Sequence, residues 1–274
     1  MKKILFVCDG DNFSIGAFAL IKLLQEKEPI SVKGIFFTPV DFQELIPISY
    51  IPTAEPYVKL KSKERMIVKK SKESFIKNCD SLNISFDIHD ENEEWTVESF
   101  AKETRFADLA IISEELFCAD LSQHQPNIFM QEALRHAECA VILVPENFKS
   151  IDRIVVAYDG KKESMFALRQ FSHLLSQFTD IPSEFVFLKN EENDEIPDAD
   201  LLKEYARLHF NSISITKLHI DPKKYFASWT NDKKNILLVA GSFSRSVVSE
   251  LFKSSFSAEI IHGHQLPVFI AHHS

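Results

Sequence analysis

Side chains whose type and spacing could support chemistry fall in few places along this sequence. Ten histidines include His262-Gly263-His264 and the pair His272-His273. A zinc site needs three or four ligands converging from a rigid frame, each held by a second shell. A His-x-His step at a helix end and a pair beside the last residue do not provide that. The dipole at a helix C-terminus, which favours His, accounts for His262 and His264 instead, and no metal is expected. The four cysteines, Cys8, Cys79, Cys118 and Cys139, contain no Cys-x-x-Cys pair and all lie in the first half. They read as small buried hydrophobes in a reducing compartment. A nucleophilic serine would need a matched base, and Gly241-Ser242-Phe243-Ser244-Arg245 lacks the second glycine of a Gly-x-Ser-x-Gly elbow. Catalysis is therefore not expected. What remains is an acid followed by glycine, present twice as Asp9-Gly10 and Asp159-Gly160.

Those two pairs belong to a repeat that spans the chain. Lys3-Ile4-Leu5-Phe6-Val7-Cys8-Asp9-Gly10 is answered by Arg153-Ile154-Val155-Val156-Ala157-Tyr158-Asp159-Gly160, and Ser14 and Ala17 recur as Ser164 and Ala167. Later, Asp108–Ser113 answers Asn235–Ala240, and Ala140–Leu143 answers Pro267–Ile270. The unit repeated is a whole domain, so the reading is two domains, 1–147 and 151–274, with the seam near Glu146 to Ser150.

Apolar runs and amphipathic stretches alternate in each half. Strands are expected near 3–8, 31–37, 83–89, 108–113 and 140–144, then 153–158, 184–189, 213–220, 235–240 and 267–271. Helices are expected at about Ser14 to Lys27, Val58 to Cys79, 164–178, 198–210, 222–230 and 245–262. Several strands are continuously apolar, as strands covered on both faces are. The fold class is α/β, with two tandem doubly wound domains, each a five-stranded parallel sheet flanked by helices. Such sheets bind ligands at the carboxyl ends of their strands, where both Asp-Gly pairs lie.

Composition narrows the function. The chain has 274 residues, 45% of them apolar, and 24 phenylalanines against two tryptophans, so its cores should be rich in Phe. A net charge of −9 argues against nucleic acid, whose phosphates need a basic footprint. The longest apolar runs, such as Ala140 to Pro145, fall far short of the ~20 residues that cross a bilayer. The opening Met1–Gly10 is too short in its apolar part for a signal peptide, and a cytoplasmic location is expected. The lysines at 59, 61, 63, 69, 70 and 72 read as a solvated helix face, and the acids between Lys189 and Asp200 as a solvated loop. Tyr50 to Pro56 reads as a stiff loop over the crevice.

The strand-Asp-Gly opening with a serine a few residues on, the five-strand plan, the closing Leu266-Pro267-Val268-Phe269-Ile270 and their duplication resemble the universal stress protein family in its tandem form. The resemblance covers nearly the whole chain. It implies that the final strands of two domains pair, here within one chain, which removes two exposed edges. Further two-fold dimerisation into a homodimer is compatible with it.

The resemblance also implies where a nucleotide would bind. Nucleotide-binding members carry Gly-x-x-Gly, nine residues, then Gly and Ser or Thr after the fourth strand, because only glycine lets the backbone approach phosphate closely. Along 241–255, Gly241 keeps the first glycine and Ser255 the final hydroxyl, while Ser244 and Ser254 stand at the second and third glycines. Ser242 lies in the loop and Arg245 adds a forked cationic donor. Asp159, with Gly160 beside it, matches the family acid that contacts the nucleoside, although an Asp-Gly bend explains it equally. In the first half the matching stretch, Glu114 to Asn127, has no glycine and begins with two carboxylates, which repel phosphate. The expectation is thus a universal-stress-type protein acting by binding. The alternative is an adenine nucleotide, ATP or AMP, held by the second domain alone.

Overall fold

The computed structural model describes residues 1–10, 12–37, 54–89, 97–114, 134–189, 195–219, 235–241 and 266–271. Its first half contains β1 (Lys2–Asp9), α1 (Ile15–Gln25), β2 (Ile30–Phe37), α2 (Ala54–Ser81), β3 (Ser85–Ile88), α3 (Val97–Arg105), β4 (Leu109–Ser113) and β5 (Ala140–Val144). The second contains β6 (Arg153–Tyr158), α4 (Lys162–Leu174), β7 (Ser183–Lys189), α5 (Ala199–His209), β8 (Ile213–His219), β9 (Ile236–Gly241) and β10 (Val268–Ala271). Every expected strand is present. The helices expected at 222–230 and 245–262 lie outside the described residues.

One ten-stranded sheet runs β3-β2-β1-β4-β5-β10-β9-β6-β7-β8. Each half reads 3-2-1-4-5 from its outer edge inward, the order of a doubly wound sheet whose direction of winding reverses beside the first strand. Ladders within each half are parallel. The halves meet at β5 and β10, which run antiparallel with Ile142 opposite Phe269.

Alternate residues of the central strands feed two cores. Ile4, Phe6, Ile111 and Ile142 of the first half, with Ile154, Val156, Leu237 and Phe269 of the second, pack beneath α1, α2, α4 and α5. Leu5, Val7, Ala110 and Val141, with Val155, Leu238 and Ile270, form the opposite core, which Phe100 of α3 enters. The first core is indeed rich in Phe. The Phe75 ring stacks on Phe6 at 5.5 Å and meets Phe18, Phe36 and Phe86 edge-on.

Two sequence readings need correction. The run from Tyr50 to Pro56 is helical from Ala54 onward. Pro56 falls in the first turn of α2, where a missing N–H has no helical partner to lose and the fixed φ suits the helix. The second correction concerns the repeat in the fourth strand of each half. Ile4 pairs with Leu109 and its counterpart Ile154 pairs with Leu237, so Leu109 answers Leu237 and Ser113 answers Gly241. Leu109 and Leu237 also face the same core. The match by sequence, Asp108 with Asn235, is one residue out, and a slip of one exchanges the faces of a strand.

Beside the opposite core, Lys33 of β2 and His89 converge on Glu103 of α3, with Nζ 2.6 Å and Nδ1 3.3 Å from Oε1. Burial alone would raise the Glu103 pKa. The hydrogen bond and charge of Lys33, with those of His89, outweigh it and hold the carboxyl below its usual 4.5. A carboxyl depressed in the folded state contributes stability that is complete above its unfolded value and lost as pH falls through the folded one. Lowering the pH from neutral to below 4.5 should therefore reduce stability less in Glu103→Gln than in the parent chain; urea midpoints with equal pH slopes would contradict this. Truncating Phe75→Ala, which empties the centre of the ring cluster, is expected to cost about 3–5 kcal/mol in urea unfolding.

Candidate functional site

The carboxyl end of β6 carries Asp159 and Gly160, and both are occupied by the protein itself. Asp159 Oδ1 accepts a hydrogen bond from the Lys161 amide at 3.0 Å, the Asx turn that an Asp-Gly bend favours. Its Oδ2, closed off from solvent and without a hydrogen bond, lies 3.3 Å from Lys161 Nζ. Gly160 adopts φ +77°, a left-handed conformation that glycine accepts without strain. A Cβ there would lie 2.5 Å from the Pro197 side chain. Pro197 is held in place by the Tyr158 hydroxyl, which donates to its carbonyl at 2.9 Å. Burial, then the charges of Asp198 and Asp159, push the Tyr158 phenol above its ordinary value, so the hydroxyl keeps its proton and remains a donor. The segment around Pro197 thus roofs the end of β6.

Gly241 ends β9, and its missing side chain has a structural reason. A Cβ would stand 2.6 Å from the carbonyl of Glu163 and 2.8 Å from the Ser164 amide, both main-chain atoms of the first turn of α4. That turn has no counterpart in α1. Ser164 answers Ser14, yet Ser14 caps α1, accepting from the Ala17 amide, whereas Ser164 lies inside α4 and donates to the Lys161 carbonyl. The second half starts its first helix earlier, and the added residues fill the space beside β9. In the first half Ser113 takes the position of Gly241, and the buried Glu114 follows it. Of the residues proposed from the sequence, the structure therefore brings Asp159, Gly160 and Gly241 to one end of the sheet. Ser242, Ser244, Arg245, Ser254 and Ser255 lie outside the described residues.

The first half reveals a group that the sequence reading missed. Glu146 follows β5 and places its carboxylate on the start of α1. It accepts from the Ser14 hydroxyl at 2.8 Å and from the amides of Ile15 and Gly16 at 3.0 and 3.4 Å. A carboxylate there satisfies orphan amides and meets the positive end of the helix dipole. Gly16 admits this contact, because its Cβ would fall 2.0 Å from the Pro145 carbonyl oxygen. The only signal in the sequence was Ser14-x-Gly16 opening a helix, which says nothing of a partner 130 residues away.

Two of the cysteines are held as thiols. Burial pushes the Cys79 and Cys139 thiols up to about 12, so neither is a thiolate near neutral pH. Among the described residues, no group of three or more His, Cys, Asp or Glu could hold a metal ion. No described helix is long and apolar enough to cross a membrane.

No protein-family model and no curated protein matches the sequence. Solved structures do match the fold. A universal stress protein from Archaeoglobus fulgidus superposes with a TM-score of 0.65 at 14% identity, over 99% of this chain and 96% of that one. A putative universal stress protein from Pseudomonas aeruginosa gives 0.53 at 10% identity, over 99% and 93%. A functionally unknown protein from the same species gives 0.53 at 9% identity, over 99% and 92%. The chain has the universal stress protein fold over nearly its full length.

Because main-chain atoms of α4 fill the place of a Gly241 side chain, Gly241→Ala should destabilise the protein with no nucleotide present. A loss of more than about 1 kcal/mol is expected, in the range of overpacked positions. A thermal midpoint unchanged without ligand would show that the glycine serves something other than helix packing.

Proposed function

We propose that this chain is a universal-stress-type protein that acts by binding, without catalysis, and that 1–147 and 151–274 are its two domains. The observation that carries the reading is that each described residue of the nucleotide pattern is already engaged within the protein. Asp159 holds Lys161, Gly160 lies beneath Pro197, and Gly241 packs on α4. The net charge of −9 supports a protein partner over nucleic acid, and a cytoplasmic setting suits the three cysteines among the described residues, all unbridged and two of them buried. A homodimer of the tandem chain is compatible with the reading, and no cofactor is part of it.

The competing reading is ATP or AMP in the second domain, on Asp159, Gly160, Gly241, Ser242, Ser244, Arg245, Ser254 and Ser255. Calorimetric titration with ATP, joined to thermal unfolding, separates the two. On the binding-protein reading there is no heat and no rise in midpoint at millimolar ATP. A ligand at a hundred times its Kd would stabilise the fold by about 2.7 kcal/mol, which such a scan detects. One ATP per chain, lost in Arg245→Ala, would establish the nucleotide reading. Arg245 is the better variant to use, since a change at Gly241 disturbs packing.

A further inference from the structure

The first half contains a cleft of about 480 Å3 between the start of α1 and the middle of α2. It lies on the face of the sheet that α1 and α2 cover. Its floor is apolar: Phe13, whose ring packs on Phe6 and Phe18, and Ile15, which is 69% exposed. Some of its polar groups are already used. Ser14 donates to Glu146 and Ser71 to the Gly10 carbonyl. The Glu146 carboxylate is spent on the amides of α1, where the helix end offsets its charge.

Three donors on the rim have no partner among the described residues: the Lys70 ammonium, the Asn12 amide and the Ser74 hydroxyl. The neighbouring lysines are engaged elsewhere, Lys69 with Glu73 at 3.9 Å and Lys72 over the Phe36 ring at 6.0 Å. Lys70 is the cationic side chain of the described lining, beside a Glu146 carboxylate turned to the start of α1. An apolar lining, a few polar donors and a volume in the range of small-molecule sites are the features that ligand clefts share.

We propose that this cleft binds a small organic anion. A flat or apolar body would lie on Phe13 and Ile15, and a single carboxylate, sulfonate or phosphate would sit on Lys70 with Asn12 and Ser74. A charge-assisted contact to Lys70 holds the head group, and the exposed Ile15 gains cover from the body. The site is independent of the second half, so it stands whether or not a nucleotide binds there.

Isoleucine-methyl NMR tests it on the full chain. Phenyl phosphate, added to millimolar concentration, should shift the Ile15 methyl and the Ser74 amide saturably. Inorganic phosphate and benzylamine should leave them unmoved, since one lacks the body and the other has the wrong charge. Lys70→Ala, at an exposed position where the fold should be retained, should weaken binding about tenfold, the factor that corresponds to a lost contact of 1.4 kcal/mol. No saturable shift at Ile15 would overturn the proposal. So would an equal response to benzylamine or to inorganic phosphate, or an affinity unchanged in Lys70→Ala.

Discussion

Val268, Phe269 and Ile270 run against Leu143, Ile142 and Val141 in opposite directions, and the architecture depends on that short ladder. A parallel sheet of five strands leaves two edges, each a row of unpaired amides and carbonyls. Pairing β5 with β10 removes one edge from each half and leaves the outer edges to β3 and β8. Both faces of both strands are covered as well, since every residue of the two is shielded from solvent. The chain that joins the halves, between Val144 and Arg153, is short, and Phe148 and Ile151 anchor it in the core beneath the helices. Glu146, the first polar residue after β5, fixes the start of α1 in the same place. The join between the halves and the entry to the first helix are therefore one construction.

The crevice at the carboxyl ends of the strands is where an α/β sheet offers amides and space to a ligand. In both halves the protein supplies its own occupants. A carboxylate meets the first helix of one half; an added helical turn and a proline close on the strand ends of the other. Anions favour a helix N-terminus whether they arrive from solution or from the chain. A side chain already in place loses no translational freedom on binding, and this gives Glu146 an advantage over any diffusing anion.

Much of the fold was legible in the sequence, since continuous apolar runs between turn residues leave few alternatives to buried parallel strands. That same continuity hid the register. In Leu109–Ser113 and Ile236–Gly241 nearly every position is apolar, so nothing in the pattern says which residue faces which core. The off-by-one match followed, and with it the pairing of Gly241 with Glu114 in place of Ser113. The helical start of α2 was obscured by Pro56, a residue that reads as loop until its place in a first turn is known. Glu146 lay beyond local reasoning altogether, because its meaning rests on a contact across the whole first half. The two serines, Ser14 and Ser164, recur at equal spacing yet play different parts. Spacing records position in a repeat and is silent on where a helix begins.

The antiparallel join has a consequence for how the two halves can change. When two separate copies of one chain pair about a two-fold axis, any substitution appears on both sides of the contact at once. Here one tether carries both sides, and its shortness keeps them together at high effective concentration. Each half is then free to vary alone: Ile142 can face Phe269 without facing another Ile142. One half can keep a carboxylate where the other lengthens a helix. A contact made within one chain need not be symmetric, and the different closures of the two crevices are what that freedom permits.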